Sequence, residues 1–494
     1  MQFGRLSAFF VFFAISTSCV AQNGPECVNT TITLTGNSQP FVINSSTTDL
    51  SPKFCRYTFI VDKYTRPTVS LQTVSLQNDD AIFVSQHYKM GGFYYNYGGS
   101  TNLTSFDLTP TNFNIDLYLN HRNAQESFSV TVTVIDVTPS ISKQWSVGND
   151  LAEIIDADQL VSNTTIVLRP YQPQDLTVRY IEFSDFVKEM VLPYIYVYDG
   201  DTFVGTVYDM LALQNISQAI TGSALSFLNT QPSSDSNFAL LVSADYGSPG
   251  IQGTVVLRKM PTTNATETYT ATNGQTIFHV ISDKNQGTTI PSTVIGIDFR
   301  GEGVLTIYAG CSVTATDARR IATITTDTAQ NFVPLKLHSR CRTLILSRGI
   351  VNLRTMRAFY GDPHVNVGQQ GVIMSNDFPL SDPDSDKTSN YLLQAMDSQL
   401  ININYEFASF DPSSLLKIDV YKKNNQKDSS TYSQAQKPPA SVDLGPSYQQ
   451  MTSYQVPKGS VGFLVRYTIE KATKGSLTAS FGIVFVTMII KLII

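Results

Sequence analysis

Short strand motifs recur in this chain at a nearly constant spacing, and this recurrence constrains the fold more than any other feature. Val84, Val197, Ile307 and Val420 occupy equivalent places in four such motifs, and successive members lie 113, 110 and 113 residues apart. A second motif, in which an acid and a Phe end an apolar strand, is found at 181–183, 297–299 and 405–407. A fixed period of this kind is typical of tandem copies of one fold.

The local sequence is that of β-strands. Apolar and polar residues alternate strictly over 128–134, as expected for a half-buried strand. β-branched and aromatic residues are frequent and charged residues make up only 15%. Only 204–214 fits a short helix. Repeats of about 110 residues made of such strands predict an all-β fold of tandem, jelly-roll-type β-sandwich modules.

Linker-like clusters near residues 140, 260 and 360 mark the expected boundaries between these modules, because Pro, Gly, Ser and Thr concentrate there. The predicted organisation is a signal peptide at 1–21, modules at 22–140, 141–260, 261–360 (divergent) and 361–472, and an anchor-attachment propeptide at 473–494.

The first residues have the pattern of a secretory signal peptide. A basic residue, Arg5, precedes an apolar run over 6–16, and the small-residue triplet at 19–21 provides a cleavage site after Ala21. The apolar run is too short to span a bilayer about 30 Å thick. The sequence therefore predicts export.

The last residues favour a glycosylphosphatidylinositol (GPI) attachment signal. A small-residue spacer precedes the apolar tail 481–494, and Ala472, Gly475 and Ser476 are the candidate attachment residues. A short transmembrane helix and a last buried strand are the alternatives. The tail contains Lys491 and is shorter than the roughly 20 apolar residues that span a membrane. The predicted location is the outer face of the plasma membrane, or secretion.

Cysteines and glycosylation sequons agree with export. Removal of Cys19 with the signal peptide leaves four cysteines, which permit three pairings. The sequence-local pairing, Cys27 with Cys55 and Cys311 with Cys341, suits small secreted modules. Six Asn-x-Ser/Thr sequons are predicted glycosylation sites: Asn29, Asn44, Asn102, Asn163, Asn215 and Asn264.

No pattern of catalytic or cofactor-binding residues emerges from the sequence. The five histidines are scattered, and the chain lacks the zinc-protease, nucleophile-elbow and phosphate-loop motifs. His279 lies in an apolar run and is expected to be a packed strand residue. The net charge of −6 argues against a nucleic-acid partner. The prediction is a non-enzymatic protein without a cofactor or metal.

One segment has the composition of a contact surface. Over 91–99, Phe93, Tyr94, Tyr95 and Tyr97 lie between glycine pairs. A Tyr ring can bury a large area while its hydroxyl makes a polar contact, which suits sugar or protein recognition. The alternative is a hairpin whose aromatic rings pack on their own module.

Residues of the fourth repeat resemble a CUB module. The stretch 371–379 is similar to a CUB opening turn, and 462–467 is similar to the closing strand. The spacing of Cys27 and Cys55 resembles that of the first CUB disulfide. The chain thus resembles the divergent CUB-like proteins of nematodes. This resemblance implies a lipid anchor in membrane rafts and a role in innate immune defence against bacteria. The calcium ligands of many CUB modules are present only as fragments, at Asp80 and Asp245.

These observations predict a cell-surface glycoprotein that binds extracellular proteins or glycans, with microbial ones among the candidates, through several tethered modules. Two alternatives remain open: a structural surface or matrix component without a defined ligand, and an exported hydrolase.

Overall fold

The described part of the chain is all-β in the computed structural model, with 63% of the described residues in strands and almost no helix. The structure describes residues 30–44, 53–76, 80–98, 100–101, 104–119, 127–183, 191–214, 219–230, 237–244, 252–261, 263–283, 292–357, 362–380, 386–396, 399–422 and 426–472. Within these ranges, the chain divides into two compact units, an N-terminal unit up to Thr138 and a C-terminal unit from Pro139.

The N-terminal unit consists of two five-stranded sheets. Its strands are β1 (Thr30–Leu34), β2 (Phe41–Asn44), β3 (Lys53–Val61), β4 (Thr65–Ser75), β5 (Ala81–Tyr88), β6 (Gly91–Gly98), β7 (Ser100–Thr101), β8 (Thr104–Asp107), β9 (Phe113–Leu119) and β10 (Ser127–Asp136). The first sheet has the order β1-β3-β9-β5-β6, and the second has the order β2-β10-β4-β7 with β8 also paired to β4. One apolar core joins residues of both sheets, including the stacked rings of Phe59 and Phe113, 4.5 Å apart.

The C-terminal unit contains 27 strands among its described residues. They are β11 (Ile141–Val147), β12 (Glu153–Asp156), β13 (Thr164–Pro170), β14 (Leu176–Glu182), β15 (Ile195–Asp199), β16 (Thr202–Thr206), β17 (Ile220–Gly222), β18 (Leu225–Asn229), β19 (Phe238–Ala244), β20 (Thr254–Lys259), β21 (Ala265–Ala271), β22 (Thr276–Ile281), β23 (Ser292–Arg300), β24 (Val304–Ala309), β25 (Arg320–Thr325), β26 (Leu335–Leu337), β27 (Cys341–Leu346), β28 (Gly349–Met356), β29 (His364–Val365), β30 (Gln370–Met374), β31 (Lys387–Ala395), β32 (Ile401–Phe410), β33 (Leu415–Tyr421), β34 (Lys427–Tyr432), β35 (Ser441–Asp443), β36 (Gln449–Val456) and β37 (Phe463–Lys471).

Helical structure is confined to short pieces in the described part of the chain. The α-helix α1 (Val207–Gln214) confirms the helix expected over 204–214 except for its first three residues, which belong to β16. It begins after Thr206, whose backbone N–H and hydroxyl both donate to the Asp209 carboxylate, so that the first turn is capped. The 3-10 helices are Ala157–Gln159, Leu192–Tyr194, Asp317–Arg319 and Ala329–Phe332.

Strand order repeats four times along the chain. The five-stranded sheets have the orders β1-β3-β9-β5-β6, β11-β13-β18-β15-β16, β20-β22-β27-β24-β25 and β29-β31-β36-β33-β34. In each of them the first pair is parallel and the other pairs are antiparallel. The intervening sheets of the C-terminal unit have the orders β12-β19-β14-β17, β21-β28-β23-β26 and β30-β37-β32-β35. The sequence period therefore reflects a repeated strand order.

The prediction of an all-β chain is confirmed, whereas the prediction of tandem β-sandwich modules is wrong. Within each unit the sheets follow one another as turns of a β-solenoid, two sheets in the N-terminal unit and six in the C-terminal unit. Apolar clusters continue past residues 260 and 360, where linkers were expected. One cluster joins Ile154 and Leu241 to Ile281, and another joins Phe278 to Leu464. The module boundaries themselves remain predictions.

Strands that are buried along their whole length, and are mostly apolar, explain why the sheets of the C-terminal unit share cores. Every residue of β18, β19, β22 and β27 is buried. A sheet in a free-standing module exposes one face and its strands alternate, whereas a strand covered on both faces is apolar throughout. Covering both faces requires a neighbouring sheet, and this couples successive repeats.

Arg466 on β37 adds a polar link between the third and fourth repeats. Its guanidinium donates to the carboxylates of Glu406 and Asp317 and to the backbone carbonyl of Arg320, the last at 2.7 Å. The Arg466 side chain is 12% exposed, whereas the Asp317 and Glu406 side chains are 58% and 56% exposed, so water partly screens the two ion pairs. Shielded hydrogen bonds to a charged group contribute about 1.5–3 kcal/mol to stability, and partial screening places the Arg466 set in the lower part of that range.

Replacing Arg466 with Met should therefore lower the free energy of unfolding by about 2 kcal/mol at pH 7, measured by urea denaturation. The Arg466 guanidinium lowers the pKa of the Asp317 carboxyl through their hydrogen bond. Stability from a carboxyl with a lowered pKa is present at neutral pH and is lost as the pH falls through that pKa. The difference in the free energy of unfolding between Arg466→Met and the wild type should thus become smaller as the pH falls.

Arg348→Met, which breaks an exposed ion pair with Glu302, is the control and should lower the free energy of unfolding by less than about 0.5 kcal/mol. Equal losses for the two variants would contradict this prediction.

Candidate ligand-binding surface

The aromatic segment over 91–99 forms an edge strand. Strand β6 pairs with β5 in an antiparallel hairpin whose turn lies between Tyr88 and Gly91, and Val84 lies opposite Tyr95. β6 has a single neighbour in its sheet. Because successive side chains of a strand point to opposite faces, the four aromatic residues must divide between the core and the solvent.

Three of the four predicted contact residues face the core. Tyr97 is 7% exposed, and Phe93 and Tyr95 are half-buried against the same core. The rings of Tyr95 and Tyr97 lie 4.6 Å apart, and Phe106 on β8 contacts both Phe93 and Tyr95 at 5.2 Å. This packing favours a structural role for these three rings, which matches the alternative that the sequence left open.

The fourth residue, Tyr94, lies on the solvent-facing side and is 63% exposed. It begins a line of rings that crosses the sheet: Tyr94 on β6, Phe83 on β5, Tyr118 on β9 and Phe54 on β3. Successive ring centroids are 5.6, 5.0 and 4.7 Å apart. Phe54 and Tyr118 are 40% and 42% exposed. We call these four residues the aromatic row. Rings left this open to water offer apolar area to a partner.

An ion pair lies beside the aromatic row. The Arg56 guanidinium donates two hydrogen bonds to the Asp116 carboxylate, at 2.7 and 2.8 Å, and lies over the Phe54 ring at 5.4 Å. The hydrogen bond to Asp116 raises the pKa of Arg56, so the Arg56 guanidinium stays positively charged at any physiological pH. The row therefore combines apolar ring faces with fixed hydrogen-bonding groups, the combination found at recognition surfaces.

The sequence reasoning missed Phe54, Phe83 and Tyr118. Strict alternation would have assigned each of them to the solvent-facing side of its own strand. The alternation pattern does not predict the order of strands in the sheet. That order brings β3, β9, β5 and β6 side by side, although β9 is more than 50 residues away from β3 in the sequence. Only the tertiary structure brings the four rings into one row.

None of the described sequons lies on a strand that carries the aromatic row. Asn163 and Asn264 belong to the C-terminal unit and are exposed. Asn44 ends β2, and the strands on either side of Asn102, β7 and β8, belong like β2 to the second sheet of the N-terminal unit. Asn29, Asn102 and Asn215 themselves lie outside the described residues. Occupancy of the sequons remains a prediction.

One of the two expected disulfides is present within the described residues. Cys311 and Cys341 are bonded, with Cα atoms 5.3 Å apart, and both are buried. Cys55 is buried and disulfide-bonded, and its predicted partner Cys27 lies outside the described residues. A buried disulfide is consistent with an oxidising, extracellular compartment.

His279 is a packed strand residue, as the sequence predicted. It is fully buried, its Nδ1 lies 3.0 Å from the Thr343 hydroxyl, and burial lowers its pKa to about 3. Ligand atoms of His279, Cys311 and Cys341 lie within 4.8 Å of one another. The two sulfurs are bonded to each other, however, and zinc requires thiolates. This cluster therefore does not offer a metal centre in the oxidised protein.

The predicted terminal signals lie largely outside the described residues. The signal peptide 1–21, Gly475, Ser476 and the apolar tail are not described, and Ala472 is the last described residue. In the described part of the chain, no helix combines the length and the apolar character needed to cross a bilayer. Of the two residues at fragmentary calcium-ligand positions, Asp80 is described and buried, and Asp245 lies outside the described ranges.

Comparison with known proteins yields weak structural likenesses. No protein-family model matches the chain, and no curated protein matches it. Among solved structures, the CUB1-EGF-CUB2 domain of human MASP-1/3 is similar at 9% identity with a TM-score of 0.17, over 42% of this chain and 100% of that one. The CUB1-EGF-CUB2 domains of rat MASP-1 are similar at 10% identity with a TM-score of 0.16, over 43% and 99%. The full extracellular region of zebrafish Gpr126/Adgrg6 is similar at 10% identity with a TM-score of 0.19, over 90% and 57%.

Proposed function

We propose that this protein is a non-enzymatic binding protein of the cell surface, which holds an extracellular protein or glycan on the aromatic row of its N-terminal unit. Four contiguous rings on one sheet face, of which Phe54, Tyr94 and Tyr118 are exposed and Phe83 is half-buried between them, support this proposal most directly. Rings of this kind dominate the energetics of recognition surfaces because they bury large areas with little loss of side-chain freedom.

Export, N-glycosylation and a GPI anchor in membrane rafts belong to the same proposal. The buried disulfide supports an extracellular location, and the sequence patterns at the two ends support export and anchoring. A role in innate defence against bacteria rests on the resemblance to nematode CUB-like proteins. The partner class is therefore extracellular, with microbial glycans or proteins as its first candidates.

Binding should depend on the two ends of the aromatic row. The full chain, purified from an animal cell line, is screened against arrayed glycans, extracellular proteins and intact bacteria, with and without calcium. Replacing Phe54 and Tyr94 together with Ser should weaken binding of any ligand found by about tenfold, since two stacking rings contribute roughly 1.4 kcal/mol. The measurement is the dissociation constant from biolayer interferometry.

Tyr171→Ser is the matched control, because Tyr171 is 73% exposed and lies in the C-terminal unit. It should leave binding unchanged, and all variants should keep the wild-type melting temperature. If a ligand binds the Phe54/Tyr94 variant as tightly as the wild type, the aromatic row is not the contact surface. If no ligand is found for the folded wild type, a structural surface component becomes the better description.

A further inference from the structure

Strand β6 forms an open edge of the first sheet in the N-terminal unit. It is the last strand in the order β1-β3-β9-β5-β6, and β5 is its only partner strand among the described residues. The backbone of β6 therefore presents, on its outer side, N–H and C=O groups that no described strand of this unit pairs with. Groups of this kind are a template for the addition of another strand.

The composition of β6 lacks the features that protect a sheet edge. Proteins protect edges with charged side chains, with proline or with a covering element, because an unprotected edge pairs with other chains. The eight residues of β6 include neither a charged residue nor a proline, and four of them are aromatic. β-strands favour aromatic residues, so β6 is a good pairing partner for a further strand.

The strands that occupy the same place in the other three repeats are protected. β16 is followed by α1, which packs against it, and β25 packs against β30 of the fourth repeat. β34 is more open, but it begins with two charged residues, Lys427 and Asp428. Among the described residues, β6 is thus the one strand of these four with neither a covering element nor a charge.

The core is incomplete along this edge. Phe93, Tyr95 and Tyr97 point to the same face of β6 and pack on the core, but only Tyr97 is buried, whereas Phe93 and Tyr95 are half-buried. A strand added beside β6 would lie next to these two rings and remove apolar area from water, which favours its addition.

We propose that β6 pairs with β6 of a second copy of this chain, antiparallel and about a two-fold axis normal to the sheet, so that the two first sheets become one continuous sheet. Directly opposite residues of a strand pair point to the same face, so the core-facing rings of one copy lie opposite core-facing positions of the other. Because β6 carries no charge, self-pairing brings no like charges together along the strand. The two-fold symmetry also closes the assembly at a dimer.

The dimer has a consequence for ligand binding, which rests on the proposed function. A two-fold axis normal to the sheet keeps each face on its own side, so the two aromatic rows lie on one face of the continuous sheet. A repetitive ligand that contacts both rows gains avidity over one that contacts a single row.

Sedimentation equilibrium of the full chain over a range of concentrations tests the pairing. The wild type should convert from monomer to dimer as its concentration rises. Replacing Tyr94 and Asn96 together with Lys should raise the dissociation constant of the dimer by about tenfold or more. Registers centred on residue 94, 95 or 96 place these lysines opposite lysines of the second copy, and like charges directly opposite one another destabilise a strand pair.

The matched control places two lysines on the equivalent edge strand of the fourth repeat, as Ser429→Lys with Thr431→Lys on β34. This control should leave the dissociation constant unchanged. A wild type that stays monomeric at every soluble concentration would overturn the proposal, and it would do so even if an extended peptide of another protein bound along β6. A dimer that the lysines at 94 and 96 do not weaken would overturn it as well.

Hydrogen exchange of the wild type provides a second test, which needs no substitution and so does not depend on the folding of a variant. Backbone amides over 91–98 should exchange more slowly at concentrations where the dimer predominates than in dilute solution, because pairing protects them. Amides over 427–432 should exchange at the same rate in both. Exchange over 91–98 that is independent of concentration in a dimerising protein would show that another surface forms the dimer.

Discussion

Acid should destabilise this protein steeply between pH 6 and pH 4, because two buried histidines must be protonated on unfolding. Burial lowers the pKa of His279 and of His338 to about 3. In the unfolded chain both titrate near pH 6.5. Between these two pH values the unfolded chain binds protons that the folded protein does not, so the free energy of unfolding falls as the pH falls. Each histidine should contribute a slope of about 1.4 kcal/mol per pH unit.

The surroundings of both rings reinforce this effect. Arg179 lies near His279, and Lys336 and Arg342 lie near His338. These cations repel an imidazolium and so add to the cost of charging a buried ring. The stabilisation is complete above about pH 6.5 and is lost progressively below it.

Urea denaturation at a series of pH values measures this dependence. His279→Gln and His338→Gln should each reduce the slope by about 1.4 kcal/mol per pH unit, even where they lower stability at pH 7. His364→Gln is the control, because the His364 side chain is 41% exposed and is bonded to Asp362 at the surface. If both buried variants retain the wild-type slope, the two histidines are not the groups that titrate.

Loss of the disulfide between Cys311 and Cys341 should have the second large effect. The bond closes a loop with a sequence separation of 30 residues. Closing such a loop stabilises the folded protein by roughly 3.5 kcal/mol through the unfolded chain. Both sulfurs also lie in the apolar cluster that joins the second and third repeats, so truncation removes packing there as well. Cys311→Ala combined with Cys341→Ala should therefore lower the free energy of unfolding by about 4 kcal/mol.

The single variants provide the test of this explanation. Either substitution alone breaks the bond, so each should cost nearly as much as both together. The fluorescence of Trp145, the single tryptophan, reports unfolding of the C-terminal unit. Losses that simply add from the two single variants to the double variant would show that packing, rather than the covalent loop, provides the stability.

Much of the local structure could be predicted from the sequence. Alternation predicted strands such as β10, the apolar run around His279 predicted a packed strand, and the segment 204–214 was expected to be helical, which corresponds to α1. The organisation of the sheets could not be predicted from the period. The sequence period indicates which strands of different repeats correspond to one another. Whether both faces of a strand are buried depends on which sheet packs against its second face, as it does for β18, β19, β22 and β27.

The candidate surfaces divide in the same way. The composition of 91–99 indicated aromatic contacts, but the side on which each ring lies depends on the core, which takes Phe93, Tyr95 and Tyr97 and leaves Tyr94 in solvent. The open edge at β6 had no sequence signal, because the place of a strand in its sheet depends on which distant strands pair with it.

The sequence by itself determined that strands predominate, the period at which corresponding strands recur and which cysteines are available for disulfides, because these follow from the preferences and spacing of residues along the chain. The tertiary structure alone decided that successive repeats share cores, that four distant rings form one aromatic row and that β6 lies at an open sheet edge. The reason is that burial depends on which distant segment covers a given face, and that information is carried by contacts between strands far apart in the chain.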